Sequence, residues 1–362
     1  MGRVDYFLFL KPSIMITFKS TDMTDPVYLP QNRLSNLNNF FSSLLNDQRN
    51  IPFVYLFVGG MLSTFPWAVL LFIPGMFHWW LAVLYFLYNS VFIMGPFILM
   101  QHNTAHKKLF KNKYKYLNIL IPWILGPFFG LTPETYMAHH IGMHHPENNM
   151  ENDLSTTMNR QRDSFGDFTS YFLKFFFCAI PLLSIYLKHK KRKRLMRRMF
   201  IGEGTCFLLT VIMLFINWKA AVTVFIVPLV FTRFIMMAGN WAQHAFIDSK
   251  SPGNCFRNSI TYINSNYNRK CWNDGYHIGH HLYPWMHWSE MPQEFLKNIE
   301  TYQREDAIVF CKIDYFSIWF MLMTKNYKRL SKYFVQLNPV VVRSEDDIIN
   351  LLKARTKRFI FE

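Results

Sequence analysis

At 362 residues the chain is long enough for two soluble domains, yet 51% of it is hydrophobic, 18% aromatic and only 17% charged. The charges crowd into few stretches, which excludes an ordinary soluble pair. The formal charge of +16 does not signal nucleic acid, because eight Lys or Arg fall within 188–198, directly before an apolar segment. A basic run there meets anionic headgroups and marks the cytosolic side of a membrane. No basic groove or recognisable nucleic-acid module accompanies it.

Residues 1–50 are polar and Asn-rich after a short apolar start, and are expected as a cytosolic arm lying on the membrane. The apolar core at 6–10 is too short for a cleavable signal peptide and stops at Lys11-Pro12. Segments 51–73 and 79–100 each exceed 20 residues without a charge, and about 20 apolar residues suffice for a helix to cross a bilayer. A tight turn near Pro74-Gly75 joins them, and the second runs without a break into His102. Segment 117–131 is apolar but interrupted by Pro122, Gly126, Pro127 and Gly130. It reads as a re-entrant or membrane-embedded helix pair.

Segment 168–187 is long enough to cross, but Lys174 and Pro181 weaken it. A crossing there would separate histidine clusters that must share one membrane face. It would also put the basic run on the non-cytosolic side. The segment is therefore expected along the interface. Segments 207–218 and 220–238, interrupted by Lys219 and Arg233 and preceded by Glu203, complete four crossings. Gly202-Glu203-Gly204 reads as a helix-start or packing feature. Residues 291–362 are expected as amphipathic cytosolic helices, with 308–323 lying on the surface and Ser344-Glu345-Asp346-Asp347 starting a helix. The resulting expectation is an all-α polytopic membrane protein. It has a cytosolic arm (1–50), a membrane domain (51–290) with four transmembrane helices and a cytosolic helical cap, and a C-terminal part (291–362). Both termini face the cytosol.

Nine of the thirteen histidines fall into four clusters: His102 and His106; His140, His144 and His145; His244; and His277, His280 and His281. Side chains four apart on a helix stand one above the other. His102/His106, His140/His144, Asn240/His244 and His277/His281 can therefore each present two groups to one point, with His280 joining the last pair at i+3. Asn240 can add an amide oxygen, directly or through water. Nine ligands are too many for one ion and suit two. A structural zinc site closes with four ligands, often cysteines, but none of the five cysteines lies in a cluster and none forms a CxxC pair. They read as reduced, structural thiols. Imidazole alone does not choose the metal. Zinc is redox-inert, whereas a site opening onto acyl chains invites oxidation, so iron is expected. Glu134, Glu147, Asp153, Asp248 and Asp274 lie near the clusters in sequence and read first as solvated loop charges. Trp123, Trp241, Trp272 and Trp285 read first as interface packing rather than tunnel lining.

His102-Asn103-Thr104-Ala105-His106, the His140/His144/His145 cluster and His277-Ile278-Gly279-His280-His281-Leu282-Tyr283-Pro284 resemble the three histidine boxes of membrane-bound fatty acid desaturases. Asn240-Trp241-Ala242-Gln243-His244 resembles the additional Asn-xxx-His element of acyl-CoA desaturases. The likeness covers roughly residues 51–290. It implies a di-iron centre, O₂, an acyl-chain substrate, and electrons from a separate b-type cytochrome or ferredoxin with an NAD(P)H-linked reductase. The membrane implied is the endoplasmic reticulum in a eukaryote or the inner membrane in a bacterium. One departure stands out. Most desaturases place the first histidine of the second box three residues before the pair, and here position 141 is Ile, with His140 four before it. His-xxx-His-His resembles the alkane hydroxylases, so hydroxylation of a lipid or alkane, or carotenoid oxygenation, stays open beside desaturation. His139 is the alternative ligand, but on a helix it points away from His140.

Other chemistries find little support. GxSxG, P-loop and strand-following GxGxxG motifs are missing. A fused haem or flavin domain does not fit in the remaining residues. A metal transporter or sensor should bury polar groups at mid-membrane, yet 51–73 and 79–100 contain no histidine.

Overall fold

A computed structural model describes residues 16–17, 22–29, 34–338 and 340–359. The short apolar stretch at 6–10 lies outside the described residues. The architecture is helical, as expected. Among the described residues, four helical stretches are long and apolar enough to cross a membrane: Gln48–Phe72, Trp79–His106, Phe165–His189 and Lys193–Gln243. We label the principal helices α1 (Asn36–Leu44), α2 (Ile51–Phe72), α3 (Trp79–His106), α4 (Thr135–His139), α5 (Phe165–His189), α6 (Lys193–Ala221), α7 (Val227–Gln243), α8 (His277–Leu282), α9 (Tyr315–Met323) and α10 (Glu345–Arg355).

α2 and α3 are joined by the turn expected at Pro74-Gly75, where Gly75 adopts φ +82°. At 1.5 Å per residue, the 28 residues of α3 extend about 42 Å, against about 30 Å of hydrocarbon. The helix is thus longer than the apolar layer it could cross, and its histidines lie at one end of it. α6 and α7 form the 51-residue stretch, which is not straight. Asn217, at φ −157° and ψ 98°, breaks it, and the two arms fold back until Glu203 on one meets Arg233 on the other, 3.6 Å apart. Gly202 is a packing position within α6. A Cβ there would come within 1.8 Å of the Pro133 carbonyl oxygen.

Segment 117–131 is helical as expected, but as three short 3-10 and π pieces rather than a pair of helices, at Asn112–Ile119, Ile121–Leu125 and Gly126–Phe129. Gly130 closes them at φ +73°, with a virtual Cβ 2.1 Å from the Pro228 carbonyl oxygen, so only glycine fits both the conformation and the space. Thr232 Oγ1 donates to the Phe129 carbonyl at 2.7 Å, tying these turns to α7.

α5 is one unbroken helix of 25 residues despite Pro181. Near its start Phe168 packs edge-on to Trp241, with centroids 5.5 Å apart. Near its end Leu183 and Leu187 are buried with Ala138 and Met143.

The C-terminal part departs from the expectation at 308–323. This segment is not a surface-lying amphipathic helix. Ile308–Cys311 is a buried strand, β3, running parallel to β2 (Ile260–Ile263), with Ile260 opposite Ile308. Apolar β-branched residues favour that choice, and Asp306 and Lys312, both at positive φ, bracket it. α9 follows, capped by Asp314, which accepts from the Ser317 amide at 2.9 Å. It buries Ile318, Trp319 and Leu322, with Trp319 edge-on to Phe234 of α7 at 5.4 Å. A second parallel pair joins β1 (Ile16–Thr17) to β4 (Val335–Gln336). α10 begins where expected, with a complete capping box between Ser344 and Asp347.

Candidate metal centre

Nine imidazoles from four chain segments form two sets. His102, His106, His140, His145 and His280 make one, and His144, His244, His277 and His281 the other; within each, the ligand nitrogens lie within 4.8 Å of one another. Neighbouring Nε2 atoms approach closely: 2.8 Å for His102–His280, 3.0 Å for His106–His140, 3.1 Å for His140–His145 and 2.9 Å for His145–His280. In the second set, Nε2 of His277 lies 3.1 Å from that of His244 and 3.0 Å from that of His281. For imidazole–metal bonds of about 2.1 Å, ligands at right angles stand about 3.0 Å apart. The sets share a wall, with ring centroids 5.1 Å apart for His145–His281 and 6.0 Å for His144–His145.

The surroundings of His244 fix its tautomer. Nδ1 of His244 faces the Asn258 carbonyl oxygen at 2.8 Å, and a carbonyl can only accept. Burial depresses this imidazole to about 3, so the ring is neutral and Nε2 carries a lone pair aimed at His277. Burial and mutual repulsion also push His140, His277, His280 and His281 well below the ordinary histidine range. Buried, neutral imidazoles with converging nitrogens are the form metals take. The residues fit a pair of ions.

The pairing differs from simple helix spacing. His140 does not converge with His144 but with His145, five residues on, and His144 joins the other set. In an α-helix, residues five apart are turned about 140° from each other. Here His140–His144 is a π-turn, whose i→i+5 bonds accommodate one more residue per turn and bring His145 round to His140. The added residue that separates this box from the usual desaturase spacing is absorbed by this turn. His139 enters neither set. It stacks 6.3 Å from His144, and among the described residues its buried Nε2 has no hydrogen-bond partner. Likewise His277 and His281 share one point while His280 serves the other. Of the remaining histidines, His287 is tied to Asn50 and Ser289, away from both sets.

Two acids emerge from the five near the clusters. Asp153 Oδ2 lies 2.7 Å from His144 Nδ1, while Ser155 and the Asn149 amide donate to the same carboxylate. Burial alone would raise this acid, but the attraction of His144 and these hydrogen bonds outweigh it and hold the carboxylate ionised. Asp274 Oδ1 lies 3.3 Å from His102 Nδ1. Glu134 instead pairs with Arg198, Glu147 with Lys190 and Asp248 with Arg257. Carboxylates behind metal-bound imidazoles fix their orientation and basicity. Asp153→Asn is therefore expected to weaken iron retention about 10–100-fold, measured as iron remaining after chelator challenge. Unchanged retention would remove Asp153 from this role. The aim of α8 rests on a strained turn, since Trp272 and Asn273 both take positive φ just before it, which is costly for tryptophan.

Asn240 Nδ2 donates to the Ser155 carbonyl at 3.0 Å and to Tyr171 OH at 2.7 Å. With both amide hydrogens engaged, Oδ1 is its remaining polar atom. Asn240 lies in the wall of a cavity of about 440 Å³ that also exposes His102, His140, His144 and His277. Elsewhere the wall is mostly apolar, with Leu99, Phe175, Leu183, Phe231 and Met236. The four tryptophans are not part of it. Trp241 is in the core, Trp272 packs on Phe53, Trp123 donates to Glu134, and Trp285 is exposed.

Two multi-histidine sets beside a mostly apolar cavity in a helical membrane protein are features that fit the class of membrane oxidoreductases with a metal centre. The family model for fatty acid desaturases matches residues 77–311, well over half the chain. The protein belongs to the fatty acid desaturase family. No curated protein and no solved structure matches it.

Proposed function

We propose that the protein is an O₂-dependent fatty acyl desaturase. Two iron ions would be held by His102, His106, His140, His145 and His280, and by His144, His244, His277 and His281, with Asn240 adding a ligand through its amide oxygen or a water. The observation that carries this reading is the junction of the two imidazole sets with an apolar cavity of ligand size. Bound iron supplies the activation of O₂ and the oxidation of an unactivated methylene. The chain supplies the rest. Leu99, Phe175 and Phe231 bind the hydrocarbon and exclude water, and Asp153, Asp274 and the Asn258 carbonyl hold the imidazoles in their tautomers. Electrons come from a separate b-type cytochrome or ferredoxin and its reductase.

The site faces the cytosol, with α5 lying along the membrane surface. Support comes from the packing of both ends of α5 beside the same centre, on Trp241 and on Met143. A helix of this length crossing the membrane would carry one end roughly 37 Å away. Lipid hydroxylation is the second reading, favoured by the His-xxx-His-His spacing of the second box. Expression in a desaturase-deficient host, followed by lipid extraction and mass spectrometry, separates the two. New alkenes are expected. New alcohols would replace the first reading with the second, and unchanged lipids with a metal-loaded protein would defeat both.

A further inference from the structure

Arg233 lies on α7, seven residues before Asn240, in the wall of the cavity that reaches the histidines. Charged groups at membrane depth are costly and call for a function. Its guanidinium is only loosely paired. Nη2 is 3.6 Å from Glu203 Oε1, and the ring of Phe176 packs 5.7 Å from Cζ. Among the described residues it donates no hydrogen bond, although a guanidinium has five N–H donors. Glu203 is better satisfied, because Thr132 and Thr135 both donate to the same Oε1, at 2.5 and 2.7 Å. The threonines therefore hold the carboxylate, and the arginine beside it lines the cavity with donors left over.

We infer that Arg233 binds the oxygen-bearing end of the acyl substrate, and that Glu203 makes this subsite select an uncharged carbonyl over a free carboxylate. The inference rests on the reading of the cavity as an acyl site. Arg233 and Glu203 together carry no net charge. An incoming carboxylate would add an unbalanced charge in low dielectric, which is expensive. The carbonyl of an esterified acyl chain brings an acceptor without a charge. Seven helical residues set Arg233 about 10 Å from the level of Asn240. The polar end is thus kept apart from the metal centre, and the oxidised carbon is counted from that end of the chain.

The test is displacement of a fluorescent hydrocarbon from purified, iron-loaded protein by methyl hexadecanoate, hexadecanoate and hexadecane. The ester should bind at least tenfold tighter than hexadecane and tighter than the free acid. Arg233→Gln should bring the ester down to the level of hexadecane while leaving hexadecane unchanged. Glu203→Gln, which leaves an unbalanced cation, should raise the affinity of hexadecanoate at least tenfold. A hexadecanoyl thioester and a hexadecanoyl lysophospholipid then identify the esterified source as whichever loses affinity in Arg233→Gln. Equal binding of ester and hexadecane by the native protein would overturn the inference and leave the acyl cavity standing. So would an equal loss for all three ligands in Arg233→Gln, the mark of a structural clamp between α6 and α7. If no ligand displaces the probe, the acyl reading of the cavity falls as well.

Discussion

His144→Ala is expected to insert in the membrane normally and to lose product formation by at least a hundredfold, with iron falling toward one ion per chain. The set it belongs to has only four imidazoles, and the loss also leaves Asp153 buried without the imidazole that faces it. A residue immediately beside the site supplies the control. His139→Gln changes an imidazole that stacks on His144 but joins neither set, so it should keep both iron atoms. Iron per chain by elemental analysis and product by mass spectrometry give the two readouts. Full activity with two irons in His144→Ala would remove the assignment of the second set.

The largest effect on stability is expected at Arg162, which is 1% exposed. Its guanidinium donates to the carbonyls of Thr157, Met158 and Arg160 at 3.0 Å, of Ala245 at 2.9 Å and of Arg355 at 3.1 Å, and also to that of Lys357. One side chain thereby ties the loop after the second box to the end of α7 and to the C-terminal segment. Thr157 adds a hydrogen bond to the His244 carbonyl, so the same loop seats a histidine of the second set. Arg162→Ala strands several buried acceptors, each worth about 1–3 kcal/mol when unsatisfied. With partial relaxation the loss is on the order of 4–5 kcal/mol, at the extreme of single substitutions. Thermal melting in detergent should show a fall of many degrees together with lower iron retention. Arg162→Lys, which keeps charge but not the fork, should fall between. A melting temperature unchanged in Arg162→Ala would show that these bonds do not secure the loop.

Much of this protein was legible in local patterns. The uncharged runs marked α2 and α3, Pro74-Gly75 marked the turn between them, and Ser344 with Asp347 marked the start of α10. Each depends on residues adjacent in the chain, as does the concentration of histidine beside apolar segments. The buried strand at Ile308–Cys311 was not legible, because its apolar residues suit a helix face equally well and its partner, Ile260–Ile263, lies some fifty residues away. Nor was the choice of Asp153 and Asp274 from five nearby acids, which only the directions of His144 and His102 decide.

The sequence by itself determined which residues are available as ligands, nine imidazoles and one amide, and that they cluster beside apolar segments of a membrane protein. Tertiary structure decided how they are shared. His102 meets His280 across 178 positions of chain, and His140 finds His145 rather than His144 because the backbone there winds as a π-turn. Spacing along one helix reports only which side chains share its face. The sorting into two sets depends on how separate segments pack and on the local winding of the backbone, and neither is written in the spacing.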